Sequence, residues 1–123
     1  MIFSESLKKS KDFQNVYNKG RSFANRYLVM YVLANNEKNN NRLGISVSKK
    51  VGNSVVRHRL TRLIRESYRL NEMQFQRGYD IVVIVRAAAK AQGFHEIESA
   101  LLHLGRLHKI AENHNDKVKK KME

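Results

Sequence analysis

The sequence predicts one mixed α/β domain in which a long helix connects two strands of the same sheet. Three observations carry that reading. Arg42 to Ser48 alternates with period two, Ser54 to about Leu70 repeats with helical period, and Ile81 to Val85 is an unbroken apolar run. Strand, helix, strand in that order is the pattern of a βαβ unit. A length of 123 residues supports one core and not two.

Along the chain, Ser10 is the predicted cap of a short first helix, with Asp12 in its first turn and Gly20 as its stop. Phe13, Val16 and Tyr17 share one face of it. Residues 27–34 then alternate: Tyr27, Val29, Tyr31 and Leu33 point one way, and Leu28, Met30, Val32 and Ala34 the other. Both sets are apolar, so this strand is expected to be covered on part of both faces. Asn35 to Asn41 reads as a turn or loop. In the next strand Leu43, Ile45 and Val47 face a core, while Arg42, Gly44, Ser46 and Ser48 face away. Lys49 to Asn53 is a loop, and Asn53 or Ser54 caps the long helix. Tyr79 to Arg86 is a central strand after Gly78. A last helix follows Gly93, with Phe94, Ile97, Leu101 and Leu104 on one side.

The chain has 24 Lys and Arg against 11 Asp and Glu, a formal net charge of +13, and no Cys, Pro or Trp. The missing cysteines exclude disulfides, thiolate catalysis and Cys-containing zinc sites. MIFSESLKKSK has no long apolar run after its charges, so no secretory signal is predicted and a soluble, cytoplasmic protein is expected. The charge is concentrated. Residues 42–70 hold Arg42, Lys49, Lys50, Arg57, Arg59, Arg62, Arg65 and Arg69 against Glu66 alone, a local net charge of +7. Such clustering predicts a binding face for an anionic partner, nucleic acid first and a membrane surface second. Residues 1–116 form the predicted domain, and 117–123 a basic tail that reads as a solvated end.

At about 100° per residue, with Arg57 at zero, Arg65, His58, Arg69 and Arg62 fall at roughly 80–140° and Arg59 near 200°. Leu70, Leu63, Val56, Ser67, Leu60 and Ile64 fall at roughly 220–340°, which predicts an apolar side docked on the sheet. Like charges at these spacings weaken a helix unless something anionic neutralises them. Arginine, not lysine, fills every basic position of the helix, and its planar fork suits bidentate phosphate binding and base stacking.

Phe13, Tyr17 and Tyr31 have two readings: stacking platforms for single-stranded bases, or a staple of the first helix to the sheet. From the residues alone the staple is preferred, because apolar helix faces ordinarily pack. Enzyme signals are weak. His58, His95, His103, His108 and His114 lack zinc-ligand spacing, and His58 lies among arginines while the other four read as surface groups. No carboxylates recur at two-metal spacing, and Lys49 to Ser54 is not a phosphate-binding glycine loop. No catalytic or metal-ligating residue is predicted.

The segment LGISVSKKVGNSVVRHRLTRLIRESYR, Leu43 to Arg69, closely resembles the bacterial ribonuclease P protein family. The shared signature joins a strand running into paired lysines, a Gly-Asn turn, and a helix with Arg-x-Arg followed by spaced arginines. The likeness extends to Lys11-Asp12-Phe13-Gln14, to Ala24-Asn25-Arg26 and to Val82-Val83-Ile84. This resemblance implies an α+β two-layer sandwich in the order α-β-β-β-α-β-α, like the second domain of a small-subunit ribosomal protein. It also implies a left-handed βαβ crossover, against the usual handedness. One of those three consecutive strands is not located by the pattern of the residues.

The resemblance further implies a non-catalytic subunit of an endoribonuclease whose catalyst is an RNA with bound Mg2+. The RNA removes the 5′ leader of precursor tRNA, leaving a 5′-phosphate. Carried over by position, Lys49, Lys50, Asn53, Arg57, His58, Arg59, Arg62, Arg65 and Arg69 would contact the catalytic RNA. Phe13, Tyr17, Val29, Tyr31 and Ser46 would line the leader cleft, which reverses the preference for a purely structural Phe13 and Tyr17. The expected partners are ribonuclease P RNA and precursor tRNA, with no membrane and no small-molecule substrate. His58 stands where the family usually has Asn, Thr61 where a basic residue is common, and Ala87 to Ala89 lacks a frequent proline. The alternatives are a general RNA-binding or ribosome-associated protein and a nuclease in its own right.

Overall fold

Five strands form one sheet in the order β1-β4-β5-β3-β2, seen in a computed structural model that describes residues 1–37 and 39–112. The basic tail 117–123, the end of the predicted domain and His114 lie outside the described residues. The strands are β1 (Ser4–Ser6), β2 (Arg21–Ala24), β3 (Leu28–Ala34), β4 (Asn41–Ser46) and β5 (Tyr79–Val85). The helices are α1 (Ser10–Lys19), α2 (Ser54–Asn71) and α3 (Phe94–Leu107), with 3-10 turns at Glu72–Gln74 and Ala87–Ala89. β4 and β5 pair in parallel across α2, which is the predicted βαβ unit. β3 pairs antiparallel with β5, and β2 antiparallel with β3. The architecture is α+β, as expected.

The main core lies between the sheet and the α2/α3 pair, where Leu28, Met30, Leu43, Ile81 and Val83 meet Leu60, Ile64, Tyr68, Ile97, Leu101 and Leu104. Truncating one of these aliphatic side chains to alanine would cost about 2–5 kcal/mol. A smaller cluster on the other face joins Leu7 and Val82 to Val16 of α1. The period-two pattern of β3 explains both layers: Leu28, Met30 and Val32 enter the main core, and Tyr31 and Leu33 meet α1.

Several expectations are corrected. β1 and β2 were not located, because strands of three and four residues on the sheet edges carry too little alternation to be seen. β2 supplies the unlocated strand of the implied order, and β1 adds one ahead of α1. Ser10 does not cap α1. Lys9 is the N-cap, with no side-chain hydrogen bond, and Ser10 is the first helical residue. Asn41 is not a loop residue but opens β4, fully buried. Its Nδ2 donates to the Tyr68 hydroxyl (3.2 Å) and the Gln76 carbonyl (2.8 Å), and its Oδ1 accepts from the Tyr79 N–H (2.9 Å). His108 is not a simple surface group, since its Nε2 lies 2.8 Å from the Met30 carbonyl. The carbonyl can only accept, so Nε2 carries the proton.

The apolar arc of α2 is also rotated from its expected position. Leu70 is 56% exposed, whereas Tyr68 is fully buried beside Leu60, Ile64 and Ser67. The buried arc therefore centres near roughly 330° on the scale above instead of 280°. Tyr68 is drawn in because its ring packs on Phe75 (5.0 Å between centroids) and its hydroxyl meets Ser4 Oγ (2.6 Å) and Asn41.

Candidate nucleic-acid interface

Two surfaces carry the residues singled out by the sequence. The first is the outer face of α2 with the loop before it. Asn53 is the helix N-cap, its Oδ1 accepting from the Val56 N–H at 3.0 Å, a cap whose loss costs about 1 kcal/mol. Lys49 and Lys50 are exposed in the turn after β4. Behind them Val51 is buried and anchors the loop. Arg62, Arg65 and His58 are exposed along the helix. Val55, His58, Arg59, Arg62, Leu63 and Glu66 line a shallow groove on this face.

The arginines are not equivalent. Arg57 falls between Ile64 and Tyr68 on the wheel, within the rotated apolar arc; it is half-buried, and its Nε is buried without a hydrogen-bond partner among the described residues. Arg59 reaches across to the loop before α3, donating to the carbonyls of Gln92 (3.1 Å) and Lys90 (2.6 Å). Arg69 donates from Nε to Glu66 at 3.0 Å. The bond to Glu66 raises the Arg69 pKa, and the bond to Arg69 lowers that of Glu66. Arg42 pairs with Asp80 and Asp12 on the opposite face of the sheet. Among the described residues, Lys49, Lys50, Arg57, Arg59, Arg62 and Arg65 make no ion pair. That leaves a basic face whose counterions are not supplied by the described residues, as suits an anionic partner.

The second surface is the cleft between α1 and the sheet. Phe13 and Tyr17 are 6.3 Å apart between ring centroids, and Tyr31 meets Tyr17 edge-on at 5.1 Å. Phe13 lies over Gly44, where a Cβ would come within 2.7 Å of its ring. Glycine there lets α1 sit close to β4. Val29, Ile84 and Ser46 are consecutive partners across β3, β5 and β4. They form a half-buried row beside the aromatic trio. The five predicted cleft residues are thus brought onto one surface. Ile84 belongs with them and was missed. Its signal, a position out of phase with Val83 and Val85, is hidden inside a run apolar at every residue.

α1 is held over the sheet by charge as well. Arg42 grips buried Asp80 with two bonds, Nε to Oδ1 at 2.8 Å and Nη2 to Oδ2 at 2.6 Å, and reaches Asp12 of α1 at 3.4 Å. The hydrogen bonding to Asp80 outweighs burial and raises the Arg42 pKa. Among the described residues, no three His, Asp or Glu side chains gather where they could hold a metal ion. No described helix is long and apolar enough to cross a membrane.

An arginine face without ion pairs among the described residues and an aromatic-walled cleft on one small α+β domain are features suited to binding nucleic acid. The sequence profile of the family described as Ribonuclease P matches residues 2–110. The ribonuclease P protein component of Lachnoclostridium phytofermentans is 65% identical over 107 residues, covering 87% of this chain and 91% of that one. That of Alkaliphilus metalliredigens is 54% identical over 110 residues, covering 89% and 98%. The Staphylococcus aureus RNase P protein superposes with a TM-score of 0.80 at 41% identity, covering 87% and 97%. The Thermotoga maritima protein gives 0.76 at 33% identity, covering 82% and 96%. The chain belongs to the ribonuclease P protein family.

Proposed function

We propose that the chain acts as the protein component of ribonuclease P in the maturation of tRNA. It binds the catalytic RNA through the α2 face and the 5′ leader of precursor tRNA through the α1 cleft. The observation that carries this reading is the pairing of two unlike surfaces on one domain. The α2 face offers arginine forks with no ion pair among the described residues, suited to the phosphates of a folded RNA. The cleft offers Phe13, Tyr17 and Tyr31 beside the apolar row of Val29 and Ile84, suited to unpaired bases and indifferent to their identity. A leader is single-stranded, so its bases are free to lie against such a wall.

The chain's own residues bind and orient. Arg62, Arg65 and the Lys49–Lys50 turn neutralise phosphate charge, which favours a compact RNA and lowers the Mg2+ it requires. The cleft fixes the leader, so the scissile phosphate enters the RNA active site with less freedom to lose. By the family resemblance the Mg2+ is assigned to the RNA, and no step is routed through the protein. Cleavage to a 5′-phosphate is assigned to the RNA, and the protein's place to the cytoplasm.

The test is cleavage of precursor tRNA at low Mg2+ with catalytic RNA alone, protein alone, and both together. A rate gain on mixing is expected. No gain sinks this reading in favour of a general RNA-binding protein, and cleavage by protein alone would make the chain a nuclease.

A further inference from the structure

A second basic site lies at the opposite end of the sheet from the Lys49–Asn53 loop. The strand directions establish this. Lys49 and Lys50 follow the finish of β4, whereas the second site lies where β5 starts at Tyr79 and β3 ends at Ala34. It is a concave surface among the ends of α1, β3 and α3 and the start of β2. Lys19, Arg21 and Lys109 line it, no acidic residue does, and none of the three makes an ion pair among the described residues.

Its walls are built. Phe23 packs edge-on against the His108 ring at 4.7 Å, and the Arg21 guanidinium lies 6.0 Å from the centroid of Phe23. β2 begins opposite Val32, so Leu33 and Ala34 have no strand beside them on this edge. Lys109 has φ of 61°, the left-handed region that helix ends ordinarily give to glycine or asparagine. A lysine held there, where glycine would be easier, puts a cation on the rim at a cost in backbone strain. Three exposed cations around one concavity, one of them beside an aromatic ring, with no acidic residue in its lining and no ion pair among the described residues, suit an anion from outside.

We propose that this site binds a phosphodiester phosphate of an RNA strand, so that the chain holds RNA at both ends of its sheet. The proposal rests on the reading above that the partner is RNA. The phosphate could belong to the catalytic RNA or to precursor tRNA, and the experiment separates the two.

Lys109→Gly and Arg21→Ala, in the full chain, are titrated against catalytic RNA over a range of salt. The holoenzymes are titrated against leader-bearing precursor and against mature tRNA. Lys109→Gly is expected to melt higher than wild type, because strain is relieved, yet to bind one RNA several-fold more weakly. Its salt slope should fall by about one. A purely structural Lys109 would give the higher melting temperature without the binding loss. Arg21→Ala should lose affinity for the same RNA, and the RNA that shows the loss is the source. Wild-type affinity and slope in both variants for every RNA overturn the proposal. Wild-type protein that binds none of the RNAs, or that gives no rate gain when mixed with catalytic RNA, would instead overturn the functional reading beneath it.

Discussion

The arginines of α2 share a residue type and differ in surroundings, and those surroundings set what each can do. Arg62 and Arg65 are exposed and make no ion pair among the described residues. Arg59 spends part of its fork on the Lys90 and Gln92 carbonyls, so it also ties α2 to the start of α3. Arg69 is partly neutralised by Glu66. Arg62→Ala and Arg65→Ala should therefore each lower the salt slope of RNA binding by about one while leaving the melting temperature unchanged. Arg59→Ala should lower both. Titration over a salt series with parallel thermal melts checks this, and an unchanged slope in both exposed variants would count against the arginine face. The wheel read from the sequence could not separate these roles, because it carries spacing but not the carbonyls or the carboxylate each fork meets.

At the scale of elements, the cleft depends on where α1 lies. The helical spacing of Phe13, Val16 and Tyr17 was legible, and so was the two-sided pattern of β3. The approach of α1 to β4 was not, because it depends on Gly44 meeting a ring thirty-one positions away in the chain. A methyl group at Gly44 would come within 2.7 Å of the Phe13 ring and force that ring to shift. Gly44→Ala is therefore expected to weaken binding of leader-bearing precursor more than binding of mature tRNA, and Phe13→Ala to do the same. Holoenzyme affinities for the two RNAs decide it, and equal losses would return Phe13 to a structural role. The edge strands β1 and β2 show the same limit. Each is too short to carry a pattern and exists because a longer neighbour offers it a ladder.

For the molecule as a whole, His108 and Glu72 are among the groups that tie stability to pH. Burial pushes His108 below its ordinary value of 6.5; the Met30 carbonyl opposes this and Arg21 adds to it. The unfolded chain then takes up the proton first as pH falls, so this stability is full above 6.5 and declines below it. For Glu72, burial alone would raise the pKa. The N–H groups of Ile2 and Phe3, the Ser4 hydroxyl and the terminal amine outweigh it, and the carboxyl lies below its ordinary 4.5. That contribution is present above 4.5 and lost as pH falls through the folded value. The protein should melt at a lower temperature at pH 5 than at pH 7, and His108→Gln should flatten that difference. An equal drop in the variant would clear His108. The sequence by itself determined the βαβ unit, the amphipathic helices and the concentration of arginine, because periodicity and charge are local properties of the chain. The tertiary structure alone decided the rotation of α2, the burial of Asn41, the bonding of half-buried His108 to the Met30 carbonyl, and the meeting of Lys19, Arg21 and Lys109. Each of these depends on partners far away in sequence, whose approach only packing of the whole sheet can set.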